Sequence, residues 1–329
     1  MLNYLDLNTT DPAWNLAVEE YVFDRLPRNK MYVMLWQNDN AIIIGKHQNT
    51  LAEINESYVK EKGIRVVRRL SGGGAVYHDM GNLNFTVIAD AEGDSLDFGR
   101  FCDIVIRALA KAGVTAERNG RNDMTIHGKK FSGNAQYIRQ GRVMHHGTIL
   151  FDSNMSVLSG ALQVDPAKIQ AKGIKSVRSR VTNVRPCLPE DLTLEQFRRF
   201  LLESILEEFP GEAYDLTEED LAAIAAIRDR RYNTWQWNYG ASPACSVTKK
   251  QRFEGCGTVE AYLDMDKGCI REISFRGDFF AAEDPAALEG ILTGCPLEEA
   301  ALLQRLENCD ISRYFMGLTI ENLVQLLTG

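Results

Sequence analysis

The stretch that decides how this chain folds is Arg68-Arg69-Leu70-Ser71-Gly72-Gly73-Gly74-Ala75-Val76-Tyr77-His78-Asp79. Three consecutive glycines form helices and strands poorly, and they leave backbone N–H groups open to a ligand. Such groups beside fixed cations favour an anion, for example a phosphate or a carboxylate. The spacing matches neither G-x-x-x-x-G-K-[ST] nor G-x-G-x-x-G. The stretch therefore predicts anion or nucleotide binding of another kind, and a plain glycine turn between strands is the alternative.

The composition is typical of a globular chain, with 45% hydrophobic and 25% charged residues in a total of 329. No apolar run approaches the roughly 20 residues that span a bilayer, and the first residues carry no basic or apolar targeting segment. The seven cysteines are odd in number and contain no C-x-x-C, which argues against a zinc site and a disulfide framework. These features predict a cytoplasmic protein with reduced thiols.

Charge is distributed unevenly along the chain. Residues 251–329 contain 6 Lys and Arg against 14 Asp and Glu, so they carry the whole net charge of −8, and the preceding residues are neutral overall. A neutral body with an acidic end argues against nucleic acid as a partner. The shift in composition predicts a large domain at 1–246 and a small α+β domain at 247–329.

The order of strand-like and helical segments predicts an α+β fold with mixed sheets and flanking helices, because it lacks regular β-α-β alternation. Asp11 and Pro12 are expected to be the N-cap and the first residue of a helix. The runs 31–37 and 41–47, separated by three turn-forming residues, predict a β-hairpin. A second hairpin is predicted from 251–264 and 267–276.

Three further clusters carry side chains that could bind a ligand. Lys129 and Lys130 enter a turn of small residues, and at most one can point into a site because neighbouring strand residues face opposite sides; a solvated basic turn is the alternative. Asp123 could hold a metal ion that bridges phosphates, although an ordinary Asn-Asp turn is equally compatible. His145 and His146 also face opposite sides, so they do not form a bidentate metal site.

In this order, the motifs resemble those of lipoate–protein ligases, and they extend over nearly the whole chain. The residues that carry the resemblance are Arg68-Arg69-x-Ser-Gly-Gly-Gly-Ala-Val-Tyr-His-Asp, Gly81-Asn82, Gly120-Arg121-Asn122-Asp123, Lys130-x-Ser-Gly-x-Ala, His145-His146-Gly147-Thr148, residues 176–183 and Trp235-x-Trp-Asn-Tyr-Gly-x-Ser-Pro. The resemblance implies a catalytic domain with the fold of biotin and lipoate ligases. It also implies that the domain at 247–329 is an accessory domain that moves between two half-reactions.

The activity that the resemblance implies is ATP-dependent and has two steps. Lipoate attacks the α-phosphate of ATP to give lipoyl-AMP and pyrophosphate. The ε-amino group of a lysine then attacks the mixed anhydride, which forms an amide and releases AMP. The implied acceptors are lipoyl-domain proteins, namely the acyltransferase subunits of 2-oxoacid dehydrogenases and the glycine cleavage H protein, and the implied cofactors are ATP and Mg²⁺.

Site residues follow from the resemblance by motif. Lys130 is the implied catalytic residue and contacts both lipoate and a nucleotide phosphate. The implied ATP contacts are Arg69, Gly72, Gly73, Gly74, Ala75, Val76 and Tyr77, with Asn122 for adenine and Asp123 for phosphate-bound Mg²⁺ as weaker candidates. The apolar tunnel that lipoate needs is expected to include Leu70, Val76, Tyr77 and the strand around His145 and His146, and Lys130, Leu70, His78 and His146 are the implied lipoate contacts. An acyl adenylate needs no strong general base, so the pair His78-Asp79 is expected chiefly to orient the loop.

Two alternatives remain at the level of sequence. Octanoyltransferases share the scaffold and transfer the acyl group without ATP, through a cysteine nucleophile or with the assistance of a lysine. No cysteine occurs in the glycine stretch, the Lys130 motif or the segment with His145 and His146. An inactive homologue that only binds lipoate or lipoyl domains is the second alternative, and the retention of Arg69, the glycine triplet and Lys130 argues against it.

Overall fold

A computed structural model describes residues 2–91, 98–162, 181–240, 247–266 and 268–329. The strands of these residues are β1 (Leu2–Asp6), β2 (Met31–Trp36), β3 (Ala41–Ile44), β4 (Arg65–Arg68), β5 (Val76–His78), β6 (Asn82–Asp90), β7 (Glu117–Asn119), β8 (Asp123–Ile126), β9 (Lys129–Arg139), β10 (Arg142–Leu150), β11 (Gly211–Ala213), β12 (Val247–Phe253), β13 (Gly257–Asp266) and β14 (Cys269–Gly277). The helices are α1 (Pro12–Arg25), α2 (Thr50–Glu53), α3 (Glu56–Glu61), α4 (Gly99–Lys111), α5 (Met155–Ala161), α6 (Leu194–Glu208), α7 (Glu218–Ile227), α8 (Trp235–Tyr239), α9 (Pro285–Leu292), α10 (Glu299–Leu306), α11 (Ile311–Tyr314) and α12 (Ile320–Thr328). None of the helices in the described residues has the length and apolar character needed to cross a membrane.

The main sheet has the strand order β11-β1-β2-β6-β10-β9-β8-β7. Strand β1 runs parallel to both of its neighbours, whereas the other neighbouring pairs are antiparallel. Helices α4 and α6 pack on one face, and α1 and α7 pack on the other. This arrangement confirms the predicted α+β class with mixed sheets and flanking helices.

The predicted hairpin of 31–37 with 41–47 is wrong, because the two runs belong to different sheets. Strand β2 lies in the main sheet, whereas β3 pairs with β4 and β5 in a small three-stranded sheet. The side chain of Asn38 is buried between them, where its Oδ1 accepts from Nδ2 of Asn15 at 3.0 Å and its Nδ2 lies 3.1 Å from Nδ1 of His78. An asparagine held in this way connects two layers instead of closing a tight turn.

Helix α1 begins where the sequence predicts. Oδ1 of Asp11 accepts from the backbone N–H groups of Ala13 and Trp14 at 2.9 and 3.3 Å. Pro12 occupies the first helical position, where its missing N–H removes no hydrogen bond. The helix carries the carboxylate of Glu19 into the protein interior, where only 1% of the residue is exposed.

Residues 247–329, here called the accessory unit, have their own hydrophobic core around β12, β13 and β14. The antiparallel pairing of β13 with β14 confirms the predicted second hairpin. The prediction of one continuous strand at 251–264 is wrong, because a turn separates β12 from β13. Gly255 and Gly257 have φ values of 76° and 116°, a region that interrupts a strand and that glycine tolerates.

The cap of α1 gives a test of stability. We expect Asp11→Ala to lower the free energy of unfolding by about 1 kcal/mol, because two N–H groups lose their acceptor. Urea unfolding followed by circular dichroism measures the change. Asp11→Asn is the matched control, since it keeps the capping oxygen and should cost less than about 0.5 kcal/mol. Equal losses in the two variants would contradict the capping role.

Candidate functional site

The candidate site lies on the face of the main sheet that α1 covers. A transverse row of residues crosses four strands there. Trp36 on β2 lies opposite Asn84 on β6, and Asn84 lies opposite Thr148 on β10. The row ends at Gly133 on β9, whose backbone N–H donates to Oγ1 of Thr148 at 3.2 Å. With neighbouring strands about 4.8 Å apart, the row is about 14 Å long.

All four residues of this row line a cavity that combines apolar walls with fixed cations. Around Trp36 the apolar lining comes from Leu16, Ile43 and Val76. At the Gly133 end lies Lys130, whose Nζ and Cε are 3.0 and 3.2 Å from the place where a Cβ on Gly133 would be. The absence of a side chain at Gly133 therefore makes room for the ammonium group. The cavity can hold an acid with an apolar tail, because it offers an apolar surface at one end and a cation at the other.

Nine of the predicted site residues line this cavity, and four do not. The nine are Arg69, Gly73, Gly74, Ala75, Val76, His78, Asn122, Lys130 and His146. Leu70 and Gly72 line a separate cleft at the accessory unit. Tyr77 faces the opposite side of β5 from Val76, where its hydroxyl donates to Oδ1 of Asn40 at 3.1 Å. Asp123 forms an ion pair with Lys130 and lines a neighbouring pocket.

The two arginines of the opening stretch have different structural roles. Arg68 donates to the backbone carbonyls of Gly45 and Gln48 at 2.8 and 2.7 Å and to Oγ1 of Thr50 at 2.6 Å, so it holds the segment after β3 in place. Arg69 lines the cavity. Burial lowers the pKa of its guanidinium to about 10, which leaves it charged at neutral pH.

Arg69 is linked to a buried carboxylate by a chain of hydrogen bonds. Its Nε donates to Oγ of Ser71 at 3.0 Å, and that oxygen lies 2.6 Å from Nε2 of His146. Nδ1 of His146 in turn lies 2.9 Å from Oε1 of Glu19, which also accepts from Oγ1 of Thr86 at 2.5 Å. Since Arg69 can only donate and an ionised Glu19 can only accept, the two ends fix the direction of the chain. The negative charge of Glu19 supports the positive charge of Arg69.

Lys130 and Lys129 face opposite sides of β9, as predicted. Lys130 lines the cavity, and its Nζ lies 2.7 Å from Oδ1 of Asp123. Lys129 is exposed and is not among the lining residues. The backbone carbonyl of Lys130 accepts from the N–H of Thr182 at 2.8 Å, so the last residues of the motif at 176–183 contact the same strand. Residues 176–180 lie outside the described part of the chain.

The carboxylate of Asp123 is the candidate metal ligand. In the described residues, no group of three or more His, Cys, Asp or Glu side chains could hold a metal ion. Mg²⁺ typically uses one or two carboxylates and completes its shell with waters and substrate phosphates. A single carboxylate beside the ammonium group of Lys130 is compatible with that mode of binding, but not with a resident metal held by protein alone.

His145 and His146 point to opposite faces of β10, as predicted. The ring of His145 stacks on Phe101 at 5.1 Å, away from the cavity. Its Nε2 lies 3.2 Å from Oδ1 of Asn134, and its Nδ1 lies 3.0 Å from Nε2 of Gln136. Burial lowers the pKa of His145 to about 3, so the ring is neutral and acts as packing.

The accessory unit covers part of the glycine triplet, which the sequence predicted to be open. The backbone N–H of Gly73 donates to the carbonyl oxygen of Phe279 at 3.1 Å. The ring of Phe280 lines the cavity, and the guanidinium of Arg121 lies 4.4 Å from its centroid. A Cβ on Gly74 would meet only Asp278, at 3.9 Å, so this glycine remains accessible.

Sequence reasoning missed several residues of the cavity. Asn84 carried a usable signal, because Asn82, Asn84 and Thr86 alternate with apolar residues along β6 and so share one face. Trp36 ends an apolar strand and gave no such signal. Phe280 lies about two hundred residues from the glycine stretch, and no local pattern places it there.

The charge pair of Arg69 and Glu19 leads to a prediction of stability. We expect Glu19→Ala to lower the free energy of unfolding by about 3 kcal/mol. The change leaves the buried donors of Thr86 and His146 without an acceptor and removes the negative charge that stabilises Arg69. Glu19→Gln keeps one acceptor and should cost less. Urea unfolding measures both, with the exposed Glu212→Ala as a control expected to stay within about 0.5 kcal/mol. If Glu19→Ala matched that control, the pair would not stabilise the fold.

Comparison with known proteins agrees with this geometry. A family model described as the lipoyl protein ligase A/B catalytic domain matches residues 11–206, and one for the C-terminus of bacterial lipoate protein ligases matches residues 242–327. Lipoate-protein ligase LplJ of Bacillus subtilis (strain 168) is 44% identical over 324 residues, which cover 97% of this chain and 98% of that protein.

Solved structures give the same picture of the fold. The crystal structure of P. falciparum LipL1 in complex with lipoate has a TM-score of 0.81 at 24% identity and covers 100% of this chain and 99% of that one. A crystal structure of lipoate-protein ligase A bound with ATP has a TM-score of 0.63 at 28% identity and covers 74% of this chain and 100% of that one. Because the catalytic-domain model matches more than half of the chain and LplJ is similar along almost all of it, the chain belongs to the lipoate–protein ligase family.

Proposed function

We propose that this protein is an ATP-dependent ligase that attaches lipoate to lipoyl-domain proteins. In the first step a carboxylate oxygen of lipoate attacks the α-phosphorus of ATP, and pyrophosphate leaves. In the second step the ε-amino nitrogen of an acceptor lysine attacks the acyl carbon of lipoyl-AMP, and AMP leaves. Names of relatives such as LplJ support the assignment.

One observation of the structure carries the proposal. A single cavity combines the apolar surroundings of Trp36 with the cations Arg69 and Lys130. The tail of lipoate fits the first environment, and its carboxylate beside a nucleotide phosphate fits the second. Two anions approach each other only if fixed positive charge stabilises them, and a preorganised cation does this without reorganising as the reaction proceeds.

In the proposal, Lys130 and Arg69 stabilise different negative charges of the reactants. Lys130, which lies about 14 Å from the Trp36 end, neutralises the attacking carboxylate and the α-phosphate. Arg69 lies in the glycine loop and supplies charge to the phosphates together with the accessible backbone at Gly74, Ala75 and Val76. Nη2 of Arg69 now donates to the carbonyls of Gly72 and Gly74 at 2.6 and 2.9 Å, and phosphate oxygens are stronger acceptors that can replace them.

Mg²⁺ fits as a partner of ATP. Asp123 would hold it together with phosphate oxygens, and the ion would offset the charge that leaves with pyrophosphate. Asn122 lies beside Asp123 and lines the cavity, where it is the candidate for contacts with the nucleotide base. Release of Lys130 from Asp123 would accompany binding of the metal, since the two are now 2.7 Å apart.

The two-domain division at 1–246 and 247–329 is part of the proposal. The carbonyl of Phe279 accepts the hydrogen bond of the Gly73 N–H, so a phosphate can bind that amide only after the accessory unit moves away. We therefore expect the accessory unit to move when ATP binds and again before the acceptor lysine enters. The expected acceptors are acyltransferase subunits of 2-oxoacid dehydrogenases and the glycine cleavage H protein, in the cytoplasm.

The deciding experiment is exchange of labelled pyrophosphate into ATP, with and without lipoate. Lipoate-dependent exchange supports adenylation, and mass gain on an apo lipoyl domain that requires ATP supports the complete reaction. Transfer from an octanoyl carrier protein without ATP would instead support an octanoyltransferase. Binding of lipoate with neither reaction would identify an inactive homologue.

We expect Lys130→Ala to abolish lipoate-dependent exchange, with a loss of at least about 100-fold, because the carboxylate and the phosphate lose the cation between them. The measurement is the initial rate of exchange at saturating ATP. Lys129→Ala is the matched control, since Lys129 is exposed on the opposite side of β9, and it should retain most of the activity. Equal losses in both variants would refute the role given to Lys130.

A further inference from the structure

Two buried nitrogen atoms of the cavity lining have no hydrogen-bond partner among the described residues. They are Nε2 of His78 and Nδ2 of Asn84. Both residues line the cavity, and they are only 3% and 1% exposed. A buried donor that stays unpaired destabilises a protein, so native structures rarely keep one without a reason. Other buried donors are unpaired as well, but these two lie in the lining of one cavity, where a ligand can supply the acceptors.

The hydrogen bonds around His78 fix the hydrogen on Nε2. Oδ1 of Asn38 accepts from Nδ2 of Asn15, which turns Nδ2 of Asn38 towards Nδ1 of His78 at 3.1 Å. Nδ1 is therefore the acceptor. Burial lowers the pKa of His78 to about 3, so the ring is neutral and its single hydrogen resides on Nε2.

Asn84 contacts the amide of Asn82, whose own Oδ1 is also buried and unpaired in the described residues. Oδ1 of Asn84 accepts from Nδ2 of Asn82 at 2.9 Å. In this orientation Nδ2 of Asn84 carries the two free N–H groups of the amide. Both unpaired atoms are donors, and the group that completes the site must offer acceptors.

The two donors lie at the apolar end of the cavity. Asn84 is directly opposite Trp36 across the sheet, and the ring of His78 lies 6.3 Å from that of Trp36. Asn84 is two strand spacings, about 10 Å, from Gly133 and the neighbouring Lys130. An acid whose carboxylate meets Lys130 therefore brings the far end of its chain to His78 and Asn84.

We propose that His78 and Asn84 donate hydrogen bonds to the sulfur atoms of the dithiolane ring and so make the site prefer lipoate over straight-chain acids such as octanoate. This inference rests on the proposed function and adds the choice of acyl donor to it. Sulfur is a weak acceptor, but the terminal methyl group of octanoate accepts nothing. A site with buried donors discriminates against a ligand that leaves them unpaired.

The test separates hydrogen bonding from the shape of the ring. Three acids are compared, namely lipoate, octanoate and 5-cyclopentylpentanoate, which has the same chain and ring size but no sulfur. The ratio of kcat/KM for lipoate over the cyclopentyl acid, measured by acid-dependent release of pyrophosphate, should be about 10 in the wild-type protein. A ratio near 1 would overturn the inference, since shape or bound water would then account for the site.

Variants assign the preference to the two residues. His78→Phe and Asn84→Leu each remove a donor and should lower the ratio several-fold, chiefly through KM for the acid, with KM for ATP little changed. His78→Gln restores an N–H and should recover part of the preference. Asn84→Ala replaces Asn84→Leu if the larger side chain prevents folding, as judged by circular dichroism. An unchanged ratio in these variants would overturn the proposal.

The matched control is Ser153→Ala. The hydroxyl of Ser153 is also buried without a partner in the described residues, but the residue does not line the cavity. Its removal should leave the ratio at the wild-type value. A drop equal to that of Asn84→Leu would mean that a general loss of stability, and not a lost donor, changes the ratio.

Calorimetric titration measures the dissociation constants of the three acids, so the inference can be tested even if no turnover occurs. If the wild-type protein releases no pyrophosphate with any acid, the proposed function fails. Tighter binding of lipoate than of the cyclopentyl acid would still support the two donors, and equal dissociation constants would overturn them. Turnover of lipoate with equal binding of all acids leaves the ligase function intact and removes only this inference.

Discussion

Burial of the Arg69 guanidinium is the constraint on which the rest of the site depends. A cation that leaves water needs acceptors in fixed positions and a compensating charge. The carbonyls of the glycine loop supply part of the first requirement. Glu19 supplies the second through His146 and Ser71. Helix α1, strand β10 and the glycine loop are thereby held to one another by a single chain of polar contacts.

The glycine loop is also where the cavity residues meet the accessory unit. A Cβ on Gly45 would lie 1.9 Å from the carbonyl oxygen of Gly73, and one on Gly72 would lie 2.5 Å from that of Phe279. Only glycine allows such a close approach of three backbone segments. Gly72 and Gly73 thus pack against the accessory unit, whereas Gly74 stays accessible. This division explains why the loop needs three glycines where one accessible amide would suffice for an anion.

The two faces of the main sheet differ, because one carries an apolar core and the other carries polar residues and the cavity. Along β6, Phe85 faces the large core under α4, whereas Asn84 and Thr86 face α1 and the cavity. His145 and His146 repeat this division on the neighbouring strand. The two-residue period of a strand allows one segment to contribute to a core on one face and to the lining of a cavity on the other.

The sequence by itself determined what depends on local pattern. It predicted the cap of α1 at Asp11, the opposite faces of Lys129 and Lys130 and of His145 and His146, and the α+β class, since capping chemistry and strand periodicity act over a few residues. It failed at Asn38, where burial between two sheets overrides the preference of asparagine for turns. The tertiary structure alone decided that Tyr77 turns away from the cavity, that Phe280 enters it, and that His78 and Asn84 place unpaired donors beside Trp36. These outcomes depend on contacts between residues far apart in the chain, which no local pattern encodes.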